Sequence, residues 1–320
     1  MTCFSPLKVY WSRKRNSNTH NYIPVFSPSK GYPDKDRYFF PGNGFFIPCR
    51  KCDGCRLAHS FQWSIRCVCE SYYHRESYFI TLTYDNFNLP SDKCLCRAHF
   101  QSFMKRLRYY FRGYVIRVFY CGEYGERRHR PHYHAIIFGL PLSAKNIRLY
   151  PCDVSKKGNI NYYSPLLNDI WGKGLVRIGS FSSSSAAYVA QYTLKKNKSR
   201  DASFLSTRAV KPFIGSSNRV AIGKQFFLDH YQTIYSQGFF RPISGNIKPI
   251  RPFPIFNKWL KEIDPVMWFV KVFKKQLSDY LDLHRMKRSD IDSYLAVLDN
   301  QFKLRYYKER ALLRRLEARC

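Results

Sequence analysis

Arg130-Pro131-His132-Tyr133-His134-Ala135-Ile136-Ile137-Phe138 sets two imidazoles two residues apart in a run rich in apolar and aromatic residues. Such a run reads as a β-strand, and strand side chains alternate faces, so His132 and His134 point the same way. Downstream, Tyr188-Val189-Ala190-Gln191-Tyr192-Thr193-Leu194-Lys195-Lys196 carries two phenols and a lysine pair at helical spacing. Residues four apart share a helix face, which lines up Tyr188, Tyr192 and Lys196 and leaves Lys195 about one turn from Tyr192. A metal site facing a pair of phenols is the equipment needed to cut and rejoin a phosphodiester through a covalent tyrosine.

The chemistry requires more than the histidines. A divalent ion held by two imidazoles and one carboxylate keeps open positions, into which a scissile phosphate can enter and be polarised. Glu123, in Cys121-Gly122-Glu123-Tyr124-Gly125 at the end of the preceding strand, is the candidate third ligand, and Glu126 competes with it. Tyrosine has a reference pKa of ~10 and attacks poorly at neutral pH. Cationic charge from Lys195 or Lys196 would help, and Lys195 makes Tyr192 the favoured first nucleophile. A phosphotyrosine link stores the cleaved bond for religation. Taken singly, such histidines more often lie in a core or on a surface, and such tyrosines more often pack an amphipathic helix. Two other histidine chemistries do not fit. A histidine-triad hydrolase needs a third alternating His where Ile136 stands, and two-histidine phosphoesterases need paired His-x-Ser/Thr motifs.

Composition identifies the kind of partner. The chain has 320 residues, with 54 Lys+Arg against 22 Asp+Glu and a formal net charge of +32. That excess points to a polyanion, because cationic side chains displace the counterions condensed on nucleic acid. Aromatic residues make up 18% of the chain and interleave with the basic ones, as in Arg108-Tyr109-Tyr110-Phe111-Arg112. Aromatic faces stack on unpaired bases, which favours single strands over intact duplex. A membrane is the weaker candidate, since no run approaches the ~20 apolar residues of a spanning helix. The start Met1-Thr2-Cys3-Phe4-Ser5-Pro6 lacks a signal-peptide core, so the expectation is a soluble intracellular protein.

Eleven cysteines with no secretion signal suggest mostly reduced thiols. Cys49, Cys52 and Cys55 stand apart, because thiolates at that spacing can wrap a structural zinc with a fourth ligand from Cys67, Cys69 or His59. Free cysteines near an Asp53-Gly54 turn are the equal alternative. An iron–sulfur site would want a further Cys before a Pro, which is missing.

The positioning elements follow from periodicity. Leu57, Phe61, Ile65 and Val68 predict a helix from Cys55 through Tyr73, and Tyr78 to Tyr84 a strand ending at Asp85-Asn86. His99 to Phe111 reads as a basic helix burying Phe100, Phe103, Met104 and Leu107. Tyr114 to Tyr120 is a second strand, Gly122 to Arg130 a charged turn, and His132 to Leu140 a third strand. Ser182 to Ser185 offers a cap for the tyrosine helix. Ser289-x2-Asp292 resembles a capping box opening a long basic helix to about Leu316, whose cationic face suits DNA phosphate. Strand, helix, strand, strand, helix is an α+β arrangement: an antiparallel sheet with packed helices, plus a helical C-terminal region. The expected division is a basic Cys-containing region over residues 1–59, a nuclease domain over 60–200, and a basic, mainly helical region over 201–320.

These residues carry a family resemblance. His132-Tyr133-His134 followed by Tyr188-x3-Tyr192-x2-Lys195-Lys196 resembles the His-hydrophobe-His rolling-circle replication initiators, which place histidines before tyrosine. Phe79-Ile80-Thr81-Leu82-Thr83-Tyr84 looks like that family's first motif, a structural strand. With Pro48-Cys49-Arg50-Lys51-Cys52-Asp53-Gly54-Cys55-Arg56, the chain is similar to the replication-associated proteins of small single-stranded DNA phages, the gokushovirus branch of the microviruses that includes chlamydia phages. The resemblance implies a Mg²⁺- or Mn²⁺-dependent endonuclease of the host bacterial cytoplasm. It would nick the viral origin, single-stranded or in the supercoiled double-stranded replicative form. It would hold a 5′-phosphotyrosine while host polymerase extends the 3′-OH, and a second transfer would release circles. No Walker-type loop is visible, so unwinding is expected from a host helicase. Tyr133, bulky and polar-tipped between the histidines, departs from the pattern but faces away from the ligands. The alternative is a non-catalytic single-strand binder serving genome packaging, which leaves the tyrosine pair and Glu123 unexplained. A phosphodiesterase using water is a third possibility, which the two tyrosines oppose.

Overall fold

The computed structural model describes residues 3–15, 17, 22–26, 45–125, 128–154, 158–191, 210–242 and 248–273. The chain divides into two compact units, Met1–Gly223 and Lys224–Cys320. The first contains β1 (Leu7–Arg15), β2 (Tyr22–Phe26), β3 (Phe45–Ile47), α1 (Asp53–Ser71), β4 (Ser77–Tyr84), α2 (Arg97–Tyr110) and β5 (Arg117–Tyr124). It continues with β6 (Pro131–Phe138), β7 (Tyr150–Val154), β8 (Ile160–Tyr163), α3 (Pro165–Trp171), β9 (Gly174–Ser180), α4 (Ser183–Gln191) and β10 (Phe213–Ser216). In the second unit, α5 (Lys224–Gln237) and α6 (Pro254–Ile263) pack Phe227 against Phe256 and Trp259, and a short α7 (Pro265–Trp268) follows. The fold is α+β, as the order of strand and helix patterns predicts. Among the described residues no helix is long and apolar enough to cross a membrane.

Two sheets form. β1 lies between β2 and β3 in a three-stranded sheet, and the larger sheet has seven antiparallel strands in the order β10-β5-β6-β4-β9-β8-β7. β6 is central and covered on both faces, so it is buried along almost its whole length rather than at alternate positions. Its residues Tyr133, Ala135 and Ile137 enter a core with Phe100, Phe103 and Leu107 of α2 and Leu167 and Trp171 of α3. Its residues Ile136 and Phe138 enter a second core on the opposite face, with Cys67 of α1 and Ala186, Val189 and Ala190 of α4. The sheet is therefore sandwiched between two helical layers.

Tyr133 is in the first core, as its alternation predicts, and its polar tip has partners there. The hydroxyl accepts the Cys96 N–H at 2.9 Å, donates to the Cys96 carbonyl at 2.7 Å, and lies 3.0 Å from the Tyr84 hydroxyl. Cys96 is the N-cap of α2 and its side chain makes no capping bond. The tyrosine satisfies backbone groups where α2 begins.

Two elements differ from the sequence expectation. The second strand is not Tyr114 to Tyr120 with a turn from Gly122: β5 runs on to Tyr124, pairing Glu123 with His132 and Tyr124 with Pro131. Gly122 marks close packing instead of a turn, since a Cβ there would lie 2.9 Å from the Phe213 ring and 3.1 Å from Leu95. The helix that periodicity placed from Cys55 begins at Asp53, and of its four pattern residues Ile65 and Val68 are buried as expected while the first two are not. Leu57 and Phe61 are 43% and 42% exposed, whereas Ser60 and Ser64 are buried. Helix α1 lies against α4 through Cys67, and its last turns are buried nearly all round. The proposed helix from Ser289 to Leu316 lies outside the described residues.

The end of α1 is tied to the sheet by one buried acid. Glu70 pairs with the Arg117 guanidinium, accepts the Gly223 N–H at 2.7 Å and lies 3.3 Å from His74 Nε2. Burial alone would raise its carboxyl; the His74 and Gly223 hydrogen bonds and the Arg117 charge outweigh burial and hold it below the ordinary range. A depressed folded value means the stabilisation is fully present above the unfolded value of ~4.3 and is lost as pH falls through the folded value. Glu70→Gln is expected to cost about 3 kcal/mol at neutral pH, because it uncouples a buried ion pair. Denaturant unfolding should show the gap between wild type and variant narrowing below pH ~4, and a gap constant across that range would contradict the assignment.

Candidate functional site

Strand register assembles the site. β5 pairs with β6 so that Glu123 lies opposite His132 and Cys121 opposite His134, and β4 sets Thr83 and Thr81 opposite the same histidines. Cross-strand partners project to one face. Glu123 Oε1 lies 2.7 Å from His132 Nε2 and 3.1 Å from His134 Nε2, and the imidazoles meet edge to face at 4.9 Å. Their outer nitrogens are also engaged. His132 Nδ1 lies 3.1 Å from the Arg130 carbonyl, which can only accept, so Nδ1 donates there and Nε2 is the ring nitrogen that faces Glu123. His134 Nδ1 lies 2.9 Å from Thr81 Oγ1.

The pocket is largely dry. Glu123 and His134 are each 6% exposed. Burial alone would raise the Glu123 carboxyl, but hydrogen bonds from His132 and His134 and their charge hold it below the ordinary range. One carboxylate oxygen and two imidazole nitrogens converge within 4.8 Å of one another, a group able to hold a metal ion. Ligand atoms on one small hard cation with ~2.1 Å bonds lie about 3 Å apart, so the spacing and donor types fit without rearranging the strands.

The first of the two sequence-identified tyrosines reaches this face. Tyr188, on α4, meets the His134 ring edge to face at 5.4 Å and the Phe79 ring at 6.0 Å, while Phe79 stacks on His134 at 5.5 Å. Tyr188 is 42% exposed, while Ala186, Val189 and Ala190 anchor the helix beneath it. The serine cap expected from the sequence forms: the Ser185 N–H donates to Ser182 Oγ at 3.1 Å, and the Ser182 N–H donates to Ser185 Oγ at 2.8 Å. Tyr192, Lys195, Lys196 and Glu126 lie outside the described residues.

Sequence reasoning missed three participants. Thr81 orients His134, yet along the chain it is one more residue of a β-rich strand. Phe79 packs against both the imidazole and the phenol. Arg177 of β9 lies opposite Thr81 on the same face, in an ion pair with Asp153 at 2.7 Å. Each becomes visible only through cross-strand pairing. The cysteine cluster also differs from expectation. The sulfur that joins Cys49, Cys52 and Cys55 is that of Cys3, all within 4.8 Å of one another. Cys67 and Cys69 are buried further along α1, and His59 Nε2 accepts the Trp63 indole N–H at 3.1 Å.

The profile of a replication-associated protein family, the ORF2 type, matches residues 77–197, which span β4 through the tyrosine helix. The chain is 32% identical over 250 residues to "Replication-associated protein ORF2" of Spiroplasma virus 4, covering 74% of this chain and 73% of that relative. It is 32% identical over 251 residues to "Replication-associated protein VP4" of Bdellovibrio phage phiMH2K, covering 73% and 75%. "Replication-associated protein ORF4" of Chlamydia phage 1 is 32% identical over 180 residues, covering 55% of this chain and 43% of its own length. No solved structure matches the chain.

The cap of α4 yields a prediction about how firmly Tyr188 is held. Ser182→Ala removes one side of the reciprocal cap and should cost about 1 kcal/mol. Hydrogen exchange at the first amides of α4 should accelerate while β6 stays protected. Unchanged exchange at Ser185 would mean the cap contributes nothing.

Proposed function

Since the chain belongs to the ORF2-type family of replication-associated proteins, we propose that it initiates rolling-circle replication of a small phage genome by nicking and rejoining origin DNA through tyrosine. The observation that carries this reading is the convergence of Glu123, His132 and His134 on one sheet face beside the Tyr188 ring. The net charge of +32 supports a DNA partner.

In this proposal Glu123, His132 and His134 hold a divalent cation, Mg²⁺ or Mn²⁺, which when bound supplies Lewis-acid polarisation of the scissile phosphate. Thr81 and the Arg130 carbonyl fix the imidazole orientations, the part that outer hydrogen bonds play at metal sites. Tyr188 or Tyr192 attacks the phosphorus through its phenol oxygen, whose proton passes to solvent. The O–P bond forms as the bond to the 3′ oxygen breaks, and that oxygen leaves protonated as a 3′-OH. One phosphodiester is exchanged for another, with no oxidant or reductant. Lys195, Lys196 and Arg177 offset negative charge at the attacked phosphate. The second tyrosine takes the phosphoryl group in the next transfer, so that strands can be closed into circles. Host polymerase would extend the 3′-OH and a host helicase would open the duplex, in the cytoplasm of the infected bacterium.

Three readouts test this. His132→Ala or His134→Ala should abolish cleavage of an origin strand while leaving most DNA affinity, because affinity comes from many dispersed cations. Chelator should reproduce the loss, and full cleavage by either variant in chelator would remove the metal from the mechanism. For the nucleophile, wild type incubated with origin single strand and Mn²⁺ should run on a denaturing gel as a covalent adduct. One of the single Tyr→Phe variants at 188 and 192 should retain some initial cleavage and fail to circularise. The double variant should bind DNA and form no adduct. Adduct from the double variant would place the nucleophile elsewhere, and tight single-strand binding with no adduct from wild type would favour a packaging role.

A further inference from the structure

We propose that Cys3, Cys49, Cys52 and Cys55 bind one zinc ion, which fastens the N-terminal strand pair to the start of α1. The sequence alone brings three of these thiols together. The fold adds the fourth, because β1 and β3 run antiparallel with Leu7 opposite Ile47 and Lys8 opposite Phe46. Following that register back along β1 and forward past β3 carries Cys3 alongside the turn that holds Cys49 and Cys52. Helix α1 opens at Asp53 and presents Cys55 from its first turn. All the sulfurs lie within 4.8 Å of one another, with Cys3 and Cys52 at 3.7 Å.

The turn around the sulfurs is built for thiolates. The Lys51 and Cys52 N–H groups both point at Cys49 Sγ, at 3.4 and 3.3 Å. The Phe4 N–H points at Cys52 Sγ at 3.3 Å, and the Cys49 N–H at Cys3 Sγ at 3.2 Å. Amide donors aimed at sulfur stabilise a negative ligand and spread its charge, the same role that outer hydrogen bonds play around other metal ligands. Arg50 takes φ of 58°, a left-handed conformation uncommon outside glycine, at the point where the chain must fold the Cys49 and Cys52 sulfurs inward. Cys-only donor sets with no room for another ligand are those of structural zinc, not of a catalytic site with an open position. Zinc bound by thiolates alone leaves a net negative centre, and Arg50, Lys51 and Arg56 flank it in sequence. This site is separate from the Glu123–His132–His134 group in donors and in elements. Its effect is mechanical: it restrains the start of α1, the helix whose Cys67 packs on Ala186, Val189 and Ala190 beneath Tyr188.

The test is the metal content of the full-length protein purified under reducing conditions from zinc-supplemented cells. Elemental analysis should find about one zinc per chain, released by a mercurial thiol reagent. Cys3→Ser should lose that zinc on gel filtration and Cys52→Ser should do the same. Cys152→Ser, which alters an exposed thiol outside the cluster, should keep it. His132→Ala should also keep it, which separates this site from the one proposed for catalysis. Wild type answers even if Cys52→Ser fails to fold. Wild type that is metal-free and takes up no zinc on reconstitution would overturn the proposal. So would a visible thiolate-to-iron absorption band, a mass deficit marking disulfides, or undiminished zinc in Cys3→Ser.

Discussion

Everything at the candidate site depends on the register of one strand against its two neighbours. β6 pairs with β5 so that Glu123 meets His132, and with β4 so that Thr81 meets His134. The side-chain period of a strand is two, so a slip by one residue would turn both imidazoles into the opposite core and bring Tyr133 and Ala135 to their place. The core prevents that slip. Tyr133 finds its hydrogen bonds at Cys96 and Tyr84, and Ile136 and Phe138 fit against α1 and α4. The packing that stabilises the domain therefore also fixes the convergence of the donor atoms.

The second constraint is the layer above that face. Helix α4 is short, and its inner positions Ala186, Val189 and Ala190 leave little side chain to hold it. It is held by the reciprocal serine cap and by its contact with α1, whose Cys67 shares its core. Tyr188 is then left half-exposed with its ring edge on His134. The ring is held against the imidazole on one side and faces solvent on the other.

The charge distribution separates two tasks. Many lysines and arginines spread along the chain provide the attraction to a polyanion, a long-range effect that needs no fixed geometry. Among the described residues the buried donor group contains one acid, Glu123, whose carboxyl stays below the ordinary range despite burial because of hydrogen bonds to His132 and His134. The dispersed cations and the buried donor group are thus different residues, set by different parts of the sequence.

Much of this was legible in the sequence because it is local. Alternation puts His132 and His134 on one face, helical periodicity places Tyr188 on a helix, and the serine run marks its cap, since each depends only on backbone periodicity. The α+β class and the inner face of α2 follow for the same reason. What required the tertiary structure is whatever depends on which strands become neighbours. Thr81, Phe79 and Arg177 join the site through pairing across long stretches of chain, and Cys3 reaches Cys49 through the β1–β3 register. The extension of β5 through Gly122 was hidden too, because a glycine that admits Phe213 reads, along the chain, like one that makes a turn. Periodicity says which way a side chain points; only packing says what it meets.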